Sequence, residues 1–124
     1  MTPPMNWEIF IQDLPAVATA NDIPADFRPR PIGDREAIAG HIMQALPMAQ
    51  RQDHNWFFAQ APGIDLSIEL HMEDAAQVRY MVARSHGGDQ DAVAIAALLR
   101  VLGLRAMDTS TGELFDCYTL EEGL

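Results

Sequence analysis

Residues 64–73, Ile64-Asp65-Leu66-Ser67-Ile68-Glu69-Leu70-His71-Met72-Glu73, decide the fold. In an extended chain Ile64, Leu66, Ile68, Leu70 and Met72 point one way, and Asp65, Ser67, Glu69, His71 and Glu73 point the other. Alternation this clean belongs to an antiparallel sheet with one face on a core and one in water. Pro62-Gly63 turns the chain before this strand, and residues 55–60 read as its partner. Asp74-Ala75-Ala76 turns it afterwards. Val78, Tyr80 and Val82 then repeat the pattern until His86-Gly87-Gly88 breaks it.

Beyond these strands the period changes. Asp34 is a good helix N-cap, Ile38, Ile42, Met43 and Leu46 follow at helical spacing, and Pro47 stops the helix. Asp89 or Asp91 caps a second helix whose wide apolar face includes Val93, Ala96, Ala97, Leu99 and Leu102, and Gly103 suits a left-handed stop. Near the start Trp7, Ile9 and Ile11 alternate with Glu8, Phe10 and Gln12, a strand ended by Leu14-Pro15. Residues 15–33 hold four prolines and read as a crossover within one domain, pinned by Ile23 and Phe27. Residues 105–108 and 113–116 make a closing pair around Thr109-Ser110-Thr111-Gly112. The order β-α-β-β-β-α-β-β predicts a single α+β domain over residues 1–124, with a mainly antiparallel sheet and two helices on one face.

Composition bounds the function. The chain has 124 residues, 48% hydrophobic, enough for one core without a disulfide or a structural metal. Eight basic residues against eighteen acidic ones give a formal charge of −10. That balance argues against nucleic-acid phosphates and anionic membrane surfaces, since both are bound through Lys and Arg. All eight bases are Arg, so lysine chemistry such as a Schiff base is excluded. The start Met1-Thr2-Pro3-Pro4-Met5 lacks the form of a secretory signal, and no apolar run reaches the roughly 18 residues of a membrane helix. With Cys117 as the one thiol, the expected location is the cytoplasm.

The four histidines, His41, His54, His71 and His86, are separated by 13, 17 and 15 residues, so no pair has local ligand spacing. Glu69, His71 and Glu73 share a strand face at steps of about 7 Å, which is loose for one ion. Arg84-Ser85-His86-Gly87-Gly88-Asp89 has no P-loop continuation, and its acids repel phosphate; a turn needing positive φ explains the glycines, and Arg84 with His86 could still take a carboxylate. Cys117 has no basic neighbour or evident helix N-terminus to activate it, and Ser67, Ser85 and Ser110 lack a nucleophile elbow. Trp7 and Trp56 read as core anchors. The expectation is therefore no catalytic residues, no metal and no cofactor. The candidate partner- or ligand-binding residues are Asp65, Glu69, His71, Glu73, Arg84, His86, Gly87 and Gly88.

Several pieces recur together: Asp22-Ile23-Pro24-Ala25-Asp26-Phe27 before Pro31-Ile32-Gly33, then Trp56, Ser67-Ile68-Glu69, and Arg84 ahead of Gly87-Gly88. They end with 102–108, Leu-Gly-Leu-Arg-Ala-Met-Asp, and 111–116, Thr-Gly-Glu-Leu-Phe-Asp. In these pieces the chain resembles a family of small bacterial cytoplasmic proteins with no established activity. It departs from that pattern where Ser85-His86 separates the Arg from the Gly pair. The resemblance implies a compact domain and no particular reaction.

Two functions are expected on these grounds. The first is a non-enzymatic interaction domain, of the immunity or inhibitor kind, whose acidic charge steers it to a basic protein. The alternative is a small enzyme or ligand-binding domain, with its site where the strand of Glu69 and Glu73 meets the turn from Arg84 to Gly88. A homodimer through an exposed edge strand is a further state open to such a sheet.

Overall fold

The computed structural model describes residues 7–124. The expectation about a leader at residues 1–5 lies outside them. Eight strands form one sheet: β1 (Trp7–Gln12), β2 (Gly33–Asp34), β3 (Ala49–Asp53), β4 (Trp56–Ala61), β5 (Ile64–Met72), β6 (Gln77–Ser85), β7 (Arg105–Asp108) and β8 (Leu114–Phe115). Three helices accompany them, α1 (Arg35–Ala45), α2 (Asp91–Leu102) and α3 (Cys117–Glu122). The spatial order is β3-β4-β5-β6-β1-β7-β8, with β2 also on β6, and every pairing is antiparallel. The α+β reading and its mainly antiparallel sheet are what the molecule has. None of its helices is long and apolar enough to cross a membrane, among the described residues.

The alternation in β5 sets the layers. Leu66 and Ile68 are fully buried and meet Ile38, Ile42, Ile95, Leu98 and Leu99 in one core with Ile9, Ile11, Phe57 and Met81. Helices α1 and α2 pack on each other over β6 and β5, and α3 packs on α2. Truncating a side chain such as Leu66 to Ala would cost about 3 kcal/mol, from lost transfer energy plus the cavity left behind. Asp34 caps α1 as expected, accepting from the N–H groups of Glu36 and Ala37 at 3.1 and 3.3 Å. Gly103 ends α2 at φ +66°, a conformation that side chains with a Cβ rarely adopt.

Several expectations need correction. Strands β2 and β3 and helix α3 were not foreseen, so three helices share the layer instead of two. Neither Asp89 nor Asp91 is the N-cap of α2; Gln90 holds that position and makes no side-chain cap bond. Met43 and Val93 are exposed, at 40% and 47%, rather than part of the buried helix faces. Cys117 is buried and does open a helix, but one of only six residues.

Neither sheet edge is a long regular strand. On β3, Gln50, Arg51, Gln52 and Asp53 are exposed, and a register shift between Arg51 and Asp53 breaks the ladder. Strand β8 has two residues, and its outer side is met by Ala18, whose carbonyl accepts from Leu114 N–H at 2.9 Å, and by a bridge from Thr19 to Glu113. Charge, irregularity and cover are the usual ways to blunt an edge.

Candidate functional site

The three α-helices put their buried residues into the core on one face of the sheet, and the candidate residues of β5 and β6 lie on the other. Its rows follow from register. Glu8 stands beside Arg84, Arg84 beside Ser67, and Ser67 beside Phe58. One step along, Phe10 stands beside Val82, Val82 beside Glu69, and Glu69 beside Trp56. His71 pairs with Tyr80 in the next row.

A charged chain runs through these rows. Arg84 Nε donates to Glu8 Oε2 at 3.0 Å, and Arg84 Nη1 to Glu69 Oε2 at 3.2 Å. The other oxygen of Glu69 lies 3.2 Å from His71 Nε2, within ion-pair reach. The angle is poor for hydrogen bonding, so this buried ring nitrogen has no aligned partner. His71 stacks flat on Tyr80, with centroids 4.6 Å apart and planes 7° apart, and Tyr80 meets Phe10 at 5.4 Å. On the other flank Trp56 stacks on Phe58 at 6.3 Å. The four charged or titratable groups are half-buried, from 23% exposed for Glu69 to 36% for His71. Val82, though it points outward, is only 3% exposed because its neighbours close over it.

The face is thus less solvated than alternation alone predicts, and aromatic rather than simply acidic. Trp56 belongs here and not to the core. Trp7 does pack against the core. Glu73 lies beyond the end of β5, after a register shift at His71, and pairs with Arg79 at 3.8 Å. It leaves the candidate group. Glu69, His71 and Arg84 are brought together, and Arg84 is already held by two carboxylates of its own chain.

Asp65, His86, Gly87 and Gly88 gather elsewhere, around a shallow surface depression that also includes Gln60 and Gly63. Here Ser67 Oγ reaches His86 Nε2 at 3.1 Å. The glycine turn is a lock rather than an anion cradle. Gly87 has φ +100°, and a Cβ on Gly88 would lie 2.4 Å from Asp91 Oδ1 and 2.5 Å from the Gly63 carbonyl. Asp91, fully buried, accepts from Ser85 Oγ at 2.5 Å, Asp65 N–H at 2.7 Å and Gly88 N–H at 3.0 Å. Its carboxylate ties the start of α2 to β5 and β6.

The described residues contain no group of three or more His, Cys, Asp and Glu side chains able to hold a metal ion. Glu8, Phe10, Trp56, Phe58 and Tyr80 were not among the sequence-derived candidates. The alternation of β1 already set Glu8 and Phe10 opposite its apolar positions, but nothing in it says that β1 lies beside β6. Comparison with protein-family models, with curated proteins and with solved structures finds no match for the chain.

Proposed function

We propose that this protein is a non-enzymatic interaction domain of the cytoplasm, akin to an immunity or inhibitor protein, that takes a basic protein partner on its open sheet face. One observation carries the reading. Aromatic pairs flank a row in which two glutamates share one arginine, on the sheet face opposite α1 and α2. Two carboxylates to one guanidinium leave the row net negative, and the half-buried rings beside it can attract Lys and Arg through their faces. The chain's −10 charge adds long-range steering toward such a partner. It also disfavours a second copy on the same face, and the charged, irregular β3 edge and the short, covered β8 edge are poor ladders for a homodimer.

Affinity capture with the wild-type chain and with a Glu8→Gln, Glu69→Gln double variant tests this. The expected result is a basic protein retained by the wild type and lost from the variant. Raising salt from roughly 50 to roughly 500 mM should weaken the capture, because exposed charges are then screened over a few ångströms. Partners that are not basic, or capture indifferent to salt, would remove the proposal.

The Ser67–His86 contact favours a second reading, a small enzyme or ligand-binding domain at the depression beside Gly88. A nucleophile and a base within hydrogen-bond reach are the minimum for acyl transfer. Ser67 is only 4% exposed. Labelling with a fluorophosphonate at Ser67, abolished by His86→Ala, is its expected signature; an unlabelled chain counts against it.

A further inference from the structure

A cavity of ≈ 320 Å³ lies on the helix-bearing side, away from the open face. Trp7, Phe115, Leu120 and Ala92 give it apolar walls, and Asp108 and Glu113 stand among its polar residues. Its volume falls at the small end of ligand sites. Trp7 stacks on Phe115 with centroids 6.0 Å apart, and its indole Nε1 donates to Asp108 Oδ2 at 2.9 Å. The other oxygen, Oδ1, accepts from Ser110 N–H and Oγ at 2.8 and 2.7 Å and from Thr111 N–H at 3.3 Å. All these donors are neutral.

Burial pushes the Asp108 carboxyl up, but the Ser110 hydroxyl, the two backbone N–H groups and the indole together hold it below the ordinary aspartate value. It is therefore ionised at neutral pH. Among the described residues six of the eight arginines are ion-paired, none of them to Asp108 or Glu113. A fixed carboxylate with no ion-pair partner among the described residues, beside aromatic rings and apolar walls, repels anions. A neutral apolar molecule would leave its charge unanswered. A cation with an apolar body answers both, since its charge meets the carboxylate where water is partly excluded and its substituents meet the rings.

We infer that this cavity binds a small organic cation of the quaternary or alkylammonium class, its charge facing Asp108 and Trp7 and its apolar part against Phe115 and Leu120. The site is independent of the open face. Choline chloride and its uncharged carbon isostere, dimethylbutanol, separate charge from shape. The readout is the indole cross-peak of Trp7 in nitrogen–proton correlation spectra of the full chain, assigned by Trp56→Phe. Choline should move it saturably, and the neutral alcohol should bind about tenfold more weakly, in the range of a partly desolvated cation–π contact. Asp108→Asn should weaken choline binding by about the same factor. Because that change could loosen the turn, Glu113→Gln serves as a second variant, its exposed side chain making no described contact. It should lower affinity about threefold. No saturable shift, equal affinity for the alcohol, or wild-type affinity in both variants would overturn the inference.

Discussion

Asp91 shows how much one side chain can settle. A buried carboxylate with three donors is stable only while all three stay in place. Asp91→Ala strands Ser85 Oγ and two backbone N–H groups where water does not reach, and should cost about 3 kcal/mol in urea unfolding. Gly88→Ala should also destabilise the fold, because its Cβ would meet a backbone carbonyl and the Asp91 carboxylate, neither of which can move freely. Unfolding midpoints equal to wild type in both would show that the lock is not structural. At this scale the sequence was half legible. The Gly-Gly turn and the structural use of Asp91 could be expected, but the partners Ser85 and Asp65 belong to strands whose approach to α2 is tertiary. The same limit applies to Glu69 and Arg84. Alternation placed Glu69 outward, but it set Arg84 on the side of Tyr80 and Val82, read as apolar and core-facing. The bulge opposite Val78 turns Tyr80, Val82 and Arg84 outward and leaves Met81 and Ala83 in the core. Only this register makes Glu69 and Arg84 an ion pair.

Between elements, the clearest link is the clamp of α1 to β3. The Arg51 fork donates to both oxygens of Glu36, at 2.8 and 2.9 Å. This bidentate bond holds the Glu36 carboxyl down from 4.5 to about 2 and raises the Arg51 value in turn. A carboxyl depressed in the fold contributes stability above its unfolded value and loses it as pH falls through the folded one. Stability from this clamp is therefore present above pH 4.5 and lost toward pH 2. Thermal melts across that window should show a shallower pH dependence in Glu36→Gln than in wild type, and the difference should shrink in high salt because the carboxylate is exposed. Identical slopes would contradict the clamp. Asp34→Ala removes the cap of α1 and should cost ~1 kcal/mol; a variant as stable as wild type would show the cap to be idle. The capped helix and the long strands were readable because a strong periodicity ran through each. Strand β3, Ala-Gln-Arg-Gln-Asp, has one apolar residue in five and no alternation, as an exposed edge allows. Helix α3 is too short for its two buried residues, Cys117 and Leu120, to show a period. In β4 the run Trp56-Phe57-Phe58-Ala59 is apolar on both sides, which hid the fact that Trp56 and Phe58 face away from the core.

Across the whole molecule, the acidity divides into two parts. Seven of the eleven aspartates, Asp13, Asp34, Asp53, Asp74, Asp91, Asp108 and Asp116, accept backbone N–H groups at turns, caps and locks. Backbone donors at Ala76 and Gln77 lower the Asp74 carboxyl, and the N–H of Thr119 leads in lowering Asp116. Together with Glu36 they predict acid unfolding below about pH 4, where these carboxylates take up protons that the unfolded chain binds more readily. Glu8 and Glu69 have a different place, on the open face beside Arg84 and the stacked rings. Sheet order decides this, because β1 brings Glu8 and Phe10 next to β6 from the far end of the sequence. That adjacency makes the face a candidate partner surface, and mapping contacts on it is the direct test. A photo-crosslinking residue in place of Gln60, exposed on the open-face side of β4, should capture a basic protein in cells. The same residue in place of Val93, exposed on α2, should not. Capture from position 93 alone, or of a partner that is not basic, would contradict the account.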